Sequence, residues 1–134
     1  NKPTKTFRAM TNEEMQRIKN ATDGLPAYEY IANNIDTIDT DTLGVVTDLL
    51  MQTDLNGQFC VSAARYLSTI DASRFADTID KLGKGAIDRD KERRYIGDLL
   101  ESLWGKDYAE RAQSLISSDD NFRRIYKRVF PDRL

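Results

Sequence analysis

Residues 57–116 read GQFCVSAARYLSTIDASRFADTIDKLGKGAIDRDKERRYIGDLLESLWGKDYAERAQSLI. A shift of 36 residues places the apolar positions of the first half of this stretch on those of the second half. The matched residues are Phe59, Cys60, Ala63, Ala64 and Leu67 in the first copy, and Tyr95, Ile96, Leu99, Leu100 and Leu103 in the second. Apolar residues at i, i+1, i+4, i+5 and i+8 form one stripe of an α-helix. The stretch therefore predicts two stacked copies of one helical unit.

The repeat extends beyond this first pair of helices. The offset of 36 also aligns residues 71–79 with residues 107–115, so each copy predicts a second helix and thus a helical hairpin. A weaker echo aligns residues 27–31 with residues 63–67. Three hairpins are therefore predicted, at residues 26–52, 57–82 and 89–116.

This plan resembles that of α-solenoids of the HEAT or tetratricopeptide kind, which stack helix pairs along one axis. The resemblance implies an all-α fold of stacked hairpins. The tetratricopeptide residue pattern is not in register, since Trp104, Gly105 and Tyr108 occupy a predicted helix end. An irregular helical bundle is the alternative fold, because the second half of the third copy requires an offset of 32.

Capping and turn residues predict about eight short helices. Thr11 and Glu14 form a capping box that begins the first helix, and Pro26 lies in the first turn of the second. Asp39 or Asp41 is expected to cap the third helix. The segment 35–42 alternates β-branched and polar residues, but no second strand is available to pair with it, so a loop is predicted.

The later helix boundaries follow the same logic. Asp71 is expected to cap the fifth helix, and Gly83 and Gly85 to end it. The sixth helix is expected to be the longest, running from Asp88 or Asp90 to Trp104. Asp107 is predicted to cap the seventh helix. The eighth carries apolar residues on one side and basic residues on the other, and Pro131 ends it.

The division of the chain is predicted from the same pattern. Residues 1–10 contain little apolar content and are expected to be a flexible N-terminal arm. Residues 11–134 are expected to form a single all-helical domain, which is an ordinary size for one hydrophobic core.

Composition narrows the class of protein. The chain is 40% hydrophobic and 31% charged, which is typical of globular proteins. It contains no apolar run long enough to span a membrane, so no membrane association is predicted. The single Cys60 excludes an internal disulfide and favours a reducing compartment, so we predict a cytoplasmic protein.

The residue types argue against catalysis. The chain has no histidine, which removes the commonest general base and metal ligand. Cys60 lies within an apolar stripe and is expected to be buried and inert. We therefore predict a protein that is not an enzyme and has no cofactor.

The acidic residues Asp36, Asp39 and Asp41 form the one carboxylate cluster that could hold a cation. An EF-hand beginning at Asp39 would place Leu43 and Leu50 at ligand positions, so helix capping explains the cluster better.

Charge is unevenly distributed along the chain. Residues 1–21 carry a net charge of +3, residues 22–80 carry −8 and residues 81–134 carry +3, so the sign changes near Lys81. The acidic middle, with Asp36, Asp39 and Asp41, is a candidate surface for a basic peptide. The last helix is instead basic, and its candidate binding residues are Arg123, Arg124, Lys127 and Arg128.

Together these features predict a non-enzymatic protein–protein interaction or adaptor module with a protein partner. The alternative is a nucleic-acid-associated domain that uses the basic last helix, since Lys and Arg side chains can follow a phosphate backbone.

Overall fold

A computed structural model describes residues 9–133. Within this range the chain forms eight α-helices, a short 3₁₀ turn and no strand, which confirms the all-α class. In chain order the elements are α1 (Asn12–Lys19), α2 (Leu25–Asn34), α3 (Thr40–Thr53), α4 (Gln58–Asp71), α5 (Ala76–Arg89), α6 (Asp98–Trp104), α7 (Ala112–Ser118), α8 (Asp120–Val129) and the 3₁₀ turn Pro131–Arg133. The expected N-terminal arm lies outside the described residues, apart from Ala9 and Met10, and Met10 packs against the core.

The helices pack as a bundle with two rows. In one row α4 lies between α2 and α6, and in the other α5 lies between α3 and α8. Consecutive helices α2 and α3 pack together, as do α4 and α5, so two of the predicted hairpins are present. Helix α1 packs on α2 and α3, and α7 packs on α8.

The third hairpin differs from its prediction. Its second helix was expected to be α7, but α8 is the helix that packs on α5 and on α6. Gly97 precedes α6, and a Cβ atom at Gly97 would lie 3.7 Å from the side chain of Val129 at the end of α8. Gly24 precedes α2, and a Cβ atom there would lie 3.1 Å from the side chain of Asp54, which follows α3. Gly57 precedes α4, and its Cβ would lie 3.1 Å from the side chain of Asp90, which follows α5. Helix α8 therefore takes the place in the third unit that α3 and α5 take in the first two.

The predicted end of α5 at Gly83 and Gly85 is wrong, because the helix continues through both residues to Arg89. A Cβ atom at Gly85 would lie 2.9 Å from Met51 Cε on α3, and one at Gly83 would lie 3.2 Å from Asn121 Nδ2 on α8. These glycines therefore allow the neighbouring helices to approach α5 closely. Their role is in packing, which the local pattern did not reveal.

The long sixth helix predicted from Asp88 or Asp90 is also wrong. Asp90 has its side chain buried, and its two carboxylate oxygens accept hydrogen bonds from three backbone N–H groups. The donors are the amides of Arg94, Tyr95 and Ile96, at 2.9, 2.7 and 2.9 Å. This loop replaces the first two turns of the expected helix, and α6 is only 7 residues long.

Of the other predicted helix starts, some are confirmed and some are wrong. The capping box at Thr11 is confirmed, with reciprocal hydrogen bonds to Glu14. Asp39, one of the two residues predicted to cap α3, is the one that does so. Asp71 instead ends α4, and its carboxylate accepts the Arg74 amide in the turn before α5. Asp107 lies well before α7, which begins at Ala112.

The core is continuous across both rows. Side chains from α1 to α8 belong to one buried cluster, and Cys60 is buried within it, as predicted. The largest fully buried side chains include Ile18, Ile31, Leu50, Leu67, Leu82, Leu99, Phe122 and Ile125.

Candidate functional site

Arg128 is the last of the predicted basic site residues, and its side chain extends from α8 to the end of α5. Its guanidinium group donates to the carbonyl oxygen of Ile87 at 2.6 Å and to that of Asp90 at 2.7 Å. A cation at this position complements the carbonyl end of the helix dipole. Arg128 therefore stabilises the end of α5, and its hydrogen-bonding groups are largely occupied within the chain.

Of the other basic residues of α8, Arg123 and Lys127 are exposed and Arg124 is partly exposed, and the two arginines are in ion pairs. Arg123 pairs with Asp120 at 2.6 Å, and this contact lowers the pKa of the Asp120 carboxyl group. Arg124 pairs with Asp88 of α5 at 3.3 Å. Lys127 is exposed and has no ion pair in the part of the chain that the structure describes. The positive charge of α8 is thus partly compensated within the protein.

The fold brings a second basic segment, residues 91–94, next to the end of α8. Arg93 has a left-handed backbone conformation, and its guanidinium group donates to the carbonyl oxygen of Arg128 at 3.2 Å. Arg94 pairs with Glu92 at 2.6 Å. The structure therefore joins the two basic segments, although acidic residues accompany both.

The acidic candidates lie around the beginning of α3. Asp39 accepts a hydrogen bond from the Thr42 amide at 2.6 Å, and the hydrogen bonds from Thr42 lower the pKa of the Asp39 carboxyl group. Asp36 and Asp41 are exposed on either side of this cap. Helices α3, α5 and α8 point the same way, so the start of α3 and Arg128 lie towards opposite ends of that row. Within residues 9–133, no group of three or more acidic or cysteine side chains could hold a metal ion.

An apolar surface on α2 and α4 was missed in the sequence. The rings of Tyr28 and Phe59 lie 6.4 Å apart, and so do the rings of Tyr28 and Tyr66. Leu25 is 41% exposed and Leu55 is 78% exposed, and both lie where the start of α2 meets the start of α4. We call Leu25, Tyr28, Leu55, Phe59 and Tyr66 the aromatic patch.

A sequence signal for the aromatic patch existed. Phe59 and Tyr66 are seven residues apart, which places them on one side of α4, and Leu55 precedes the helix. Phe59 was instead assigned to the core stripe through Cys60, and the structure leaves Phe59 only partly buried. The α4 sequence thus contains two neighbouring stripes, of which one is buried and one is partly buried.

A cleft of about 260 Å³ was also missed. It lies among the ends of α4 and α6 and the beginnings of α5 and α8. Its lining includes Trp104, which is the single tryptophan of the chain, and Asn121, which is 5% exposed. Because these residues come from four helices, no local sequence pattern indicated them.

No helix among the described residues is both long enough and apolar enough to cross a membrane. No protein-family model, curated protein or solved structure significantly matches the chain.

Proposed function

We propose that this chain is a non-enzymatic protein-interaction module and that the aromatic patch is its contact surface. The observation that carries the proposal is the exposure of Leu25 and Leu55, at 41% and 78%, near the starts of the two helices that carry three partly buried aromatic rings. Single exposed apolar residues are normal on proteins, whereas contiguous ones mark binding surfaces. Tyrosine and phenylalanine are also enriched at protein interfaces.

The aromatic patch is held in place before any partner arrives. Tyr66 donates its hydroxyl hydrogen bond to the carbonyl oxygen of Ala32 at 3.4 Å, which links α4 to α2. Tyr28 contacts the rings of both Phe59 and Tyr66, at interplanar angles of 38° and 82°. Rings that are already ordered lose little conformational entropy on binding, and this favours affinity.

The surface of α3 offers a comparison. Val45 is 42% exposed, close to the value for Leu25, but it lies on the other row of helices. Asp41 and Asp48, which lie four residues before and three residues after it on the same helix face, are exposed. Val45 is therefore a single apolar residue in polar surroundings, and it serves as the control position.

The experiment compares capture of partner proteins by the wild type, by the double variant Leu25→Ser with Leu55→Ser, and by Val45→Ser. All three positions are exposed, so each change is expected to alter stability by less than about 0.5 kcal/mol. The proposal expects partners that the wild type and Val45→Ser retain and that the double variant loses. Size-exclusion chromatography of the same variants identifies the case in which the partner is a second copy of the chain.

Equal capture by all three proteins would refute the assignment to the aromatic patch. A wild type that captures no partner and remains monomeric would refute the interaction module itself.

A further inference from the structure

We propose that the cleft beside Trp104 and Asn121 binds an alkylammonium group, supplied by a free primary amine or by a lysine side chain. This site is separate from the aromatic patch and does not depend on the proposed function. One residue of this cleft carries a buried hydrogen-bond acceptor that has no partner among the described residues.

That acceptor is the side-chain oxygen of Asn121. The amide nitrogen Nδ2 donates to the backbone oxygen of Asp80 at 3.1 Å and to its carboxylate at 2.9 Å. These two acceptors fix the orientation of the amide group, since the reversed orientation would place three oxygens together. Oδ1 then has no hydrogen-bond partner among residues 9–133, although Asn121 is only 5% exposed. A buried acceptor without a donor is costly, so a ligand that brings an N–H group is favoured.

The charges around the cleft favour a cation. Asp80 and Asp119 both line it. Asp80 forms an ion pair with Lys84, and that contact raises the pKa of the Lys84 ammonium group. Asp119 accepts the Phe122 amide at 3.1 Å and the Trp104 indole N–H at 2.9 Å, and neither donor carries a full charge. Asp119 has no ion pair among residues 9–133, although the Lys84 ammonium group lies close enough to interact with it electrostatically. Its oxygens can accept further hydrogen bonds from a second ammonium group.

The remaining walls suit a short hydrocarbon chain. Leu103 and Ile79 supply apolar surface. The Trp104 ring is fixed by its hydrogen bond to Asp119 and by an edge contact with the Phe122 ring, whose centroid lies 5.2 Å away. A tryptophan ring is also the best aromatic partner for a cation. The volume of about 260 Å³ is below the roughly 300–1,000 Å³ of sites for drug-sized ligands, so one side chain or a small amine fits.

The test uses the fluorescence of Trp104, which reports on this cleft alone because the chain has no other tryptophan. The protein is titrated with n-butylammonium chloride and, as the uncharged control, with n-butanol. A saturable change with n-butylammonium and none with n-butanol is expected. No saturable change with n-butylammonium, or equal responses to the two compounds, would overturn the proposal.

Two charge variants test the same site in opposite directions. Asp119→Asn keeps a side chain that caps α8 well and is expected to weaken n-butylammonium binding about tenfold through the lost charge. Lys84→Met removes the internal ammonium group and is expected to strengthen the binding severalfold. Unchanged affinity in both variants would overturn the proposal, and neither result requires Asn121 to be replaced.

A second pair of probes identifies the source of the ammonium group. N-acetyl-lysine amide is compared with N-acetyl-glutamine amide, which has no charge. Binding of the lysine probe at least as tight as that of n-butylammonium supports a protein side chain as the ligand. Binding of n-butylammonium alone supports a free amine, and binding of neither compound overturns the site.

Discussion

Asp54 and Asp90 lie 36 residues apart and make the same hydrogen bond in successive units of the fold. Each follows the second helix of a hairpin, and each side chain is buried. The carboxylate of Asp54 accepts the backbone N–H of Cys60 at 2.7 Å, and that of Asp90 accepts the N–H of Ile96 at 2.9 Å. Cys60 and Ile96 are themselves 36 residues apart, so the repeat includes a polar connection between units as well as an apolar stripe.

This connection leads to the first prediction, which concerns Asp90→Ala. Three backbone N–H groups would lose their acceptor, and a buried donor left unpaired costs about 1–3 kcal/mol. We expect Asp90→Ala to lower the free energy of unfolding by roughly 2–5 kcal/mol. Asp54→Ala removes the acceptor of one such N–H and is expected to cost roughly 1–3 kcal/mol. Urea unfolding followed by circular dichroism measures both values, and a larger loss for Asp54→Ala would contradict the assigned contacts.

The second prediction separates Arg128 from Lys127, which are neighbours in the predicted basic site. Arg128→Ala is expected to lower the free energy of unfolding by roughly 1–3 kcal/mol, because a charged donor leaves the carbonyl groups of Ile87 and Asp90. Lys127→Ala is the matched control, since the side chain is exposed, and it is expected to change stability by less than about 0.5 kcal/mol. Equal effects of the two changes would mean that Arg128 does not support the end of α5.

The apolar stripes predicted the fold class and much of the core, because helix burial leaves a periodic trace in the sequence. Helix ends were less predictable. The local pattern predicts that Gly83 and Gly85 end α5, but the neighbours that they contact, Asn121 and Met51, lie more than 30 residues away along the chain. The local pattern predicts helix for the loop after Asp90, because the Asp90 carboxylate accepts amides four to six residues ahead and not in a capping box.

The candidate sites rest on the charge of the sequence, and charge alone does not reveal which basic residues form ion pairs within the fold. Arg124 of α8 forms an ion pair with Asp88 of α5. Lys81 lies where the net charge of the sequence changes sign, and it forms an ion pair with Asp48 of α3. Such cross-helix pairs connect residues 33–36 positions apart, so they follow from the stacking of units. The aromatic patch and the cleft depend on the same stacking, which explains why neither was predicted.

The third prediction concerns the nucleic-acid alternative. Because Arg123 and Arg124 are paired with carboxylates and Arg128 is bound to carbonyl groups, α8 offers fewer free cations than its sequence suggests. We expect no shift of a duplex DNA probe or of an RNA probe in a mobility-shift assay at 0.15 M salt. A shift that Arg123→Glu with Lys127→Glu abolishes would instead support the alternative, and those two exposed positions leave Arg128 in place.

The fourth prediction concerns the reactivity of Cys60. Burial, together with the negative charge of Asp54, raises the pKa of its thiol, so very little thiolate forms at pH 8. The native protein is expected to react with Ellman's reagent only through opening of the fold, and the rate should rise steeply with urea. Rapid labelling of one thiol per chain without denaturant would contradict the burial of this side chain.

The last prediction contrasts two glycines, Gly44 and Gly57, whose surroundings differ in the fold. Gly44 lies inside α3, and a Cβ atom there would meet no atom of residues 9–133 within 4 Å. Gly57 begins α4 with φ at +87°, and its Cβ would lie 3.1 Å from the backbone oxygen of Ala86. Gly44→Ala is expected to raise the free energy of unfolding by about 0.5–1 kcal/mol, because alanine loses less conformational entropy in a helix.

Gly57→Ala is expected to lower the free energy of unfolding by roughly 1–3 kcal/mol, because an L-residue is strained in the left-handed region and its methyl group crowds α5. Thermal and urea unfolding of the two variants measure the contrast. The effects should have opposite signs, since one methyl group enters open space and the other enters the contact between the two helices of a hairpin. A neutral Gly57→Ala would mean that the start of α4 lies farther from Asp90 than the fold places it.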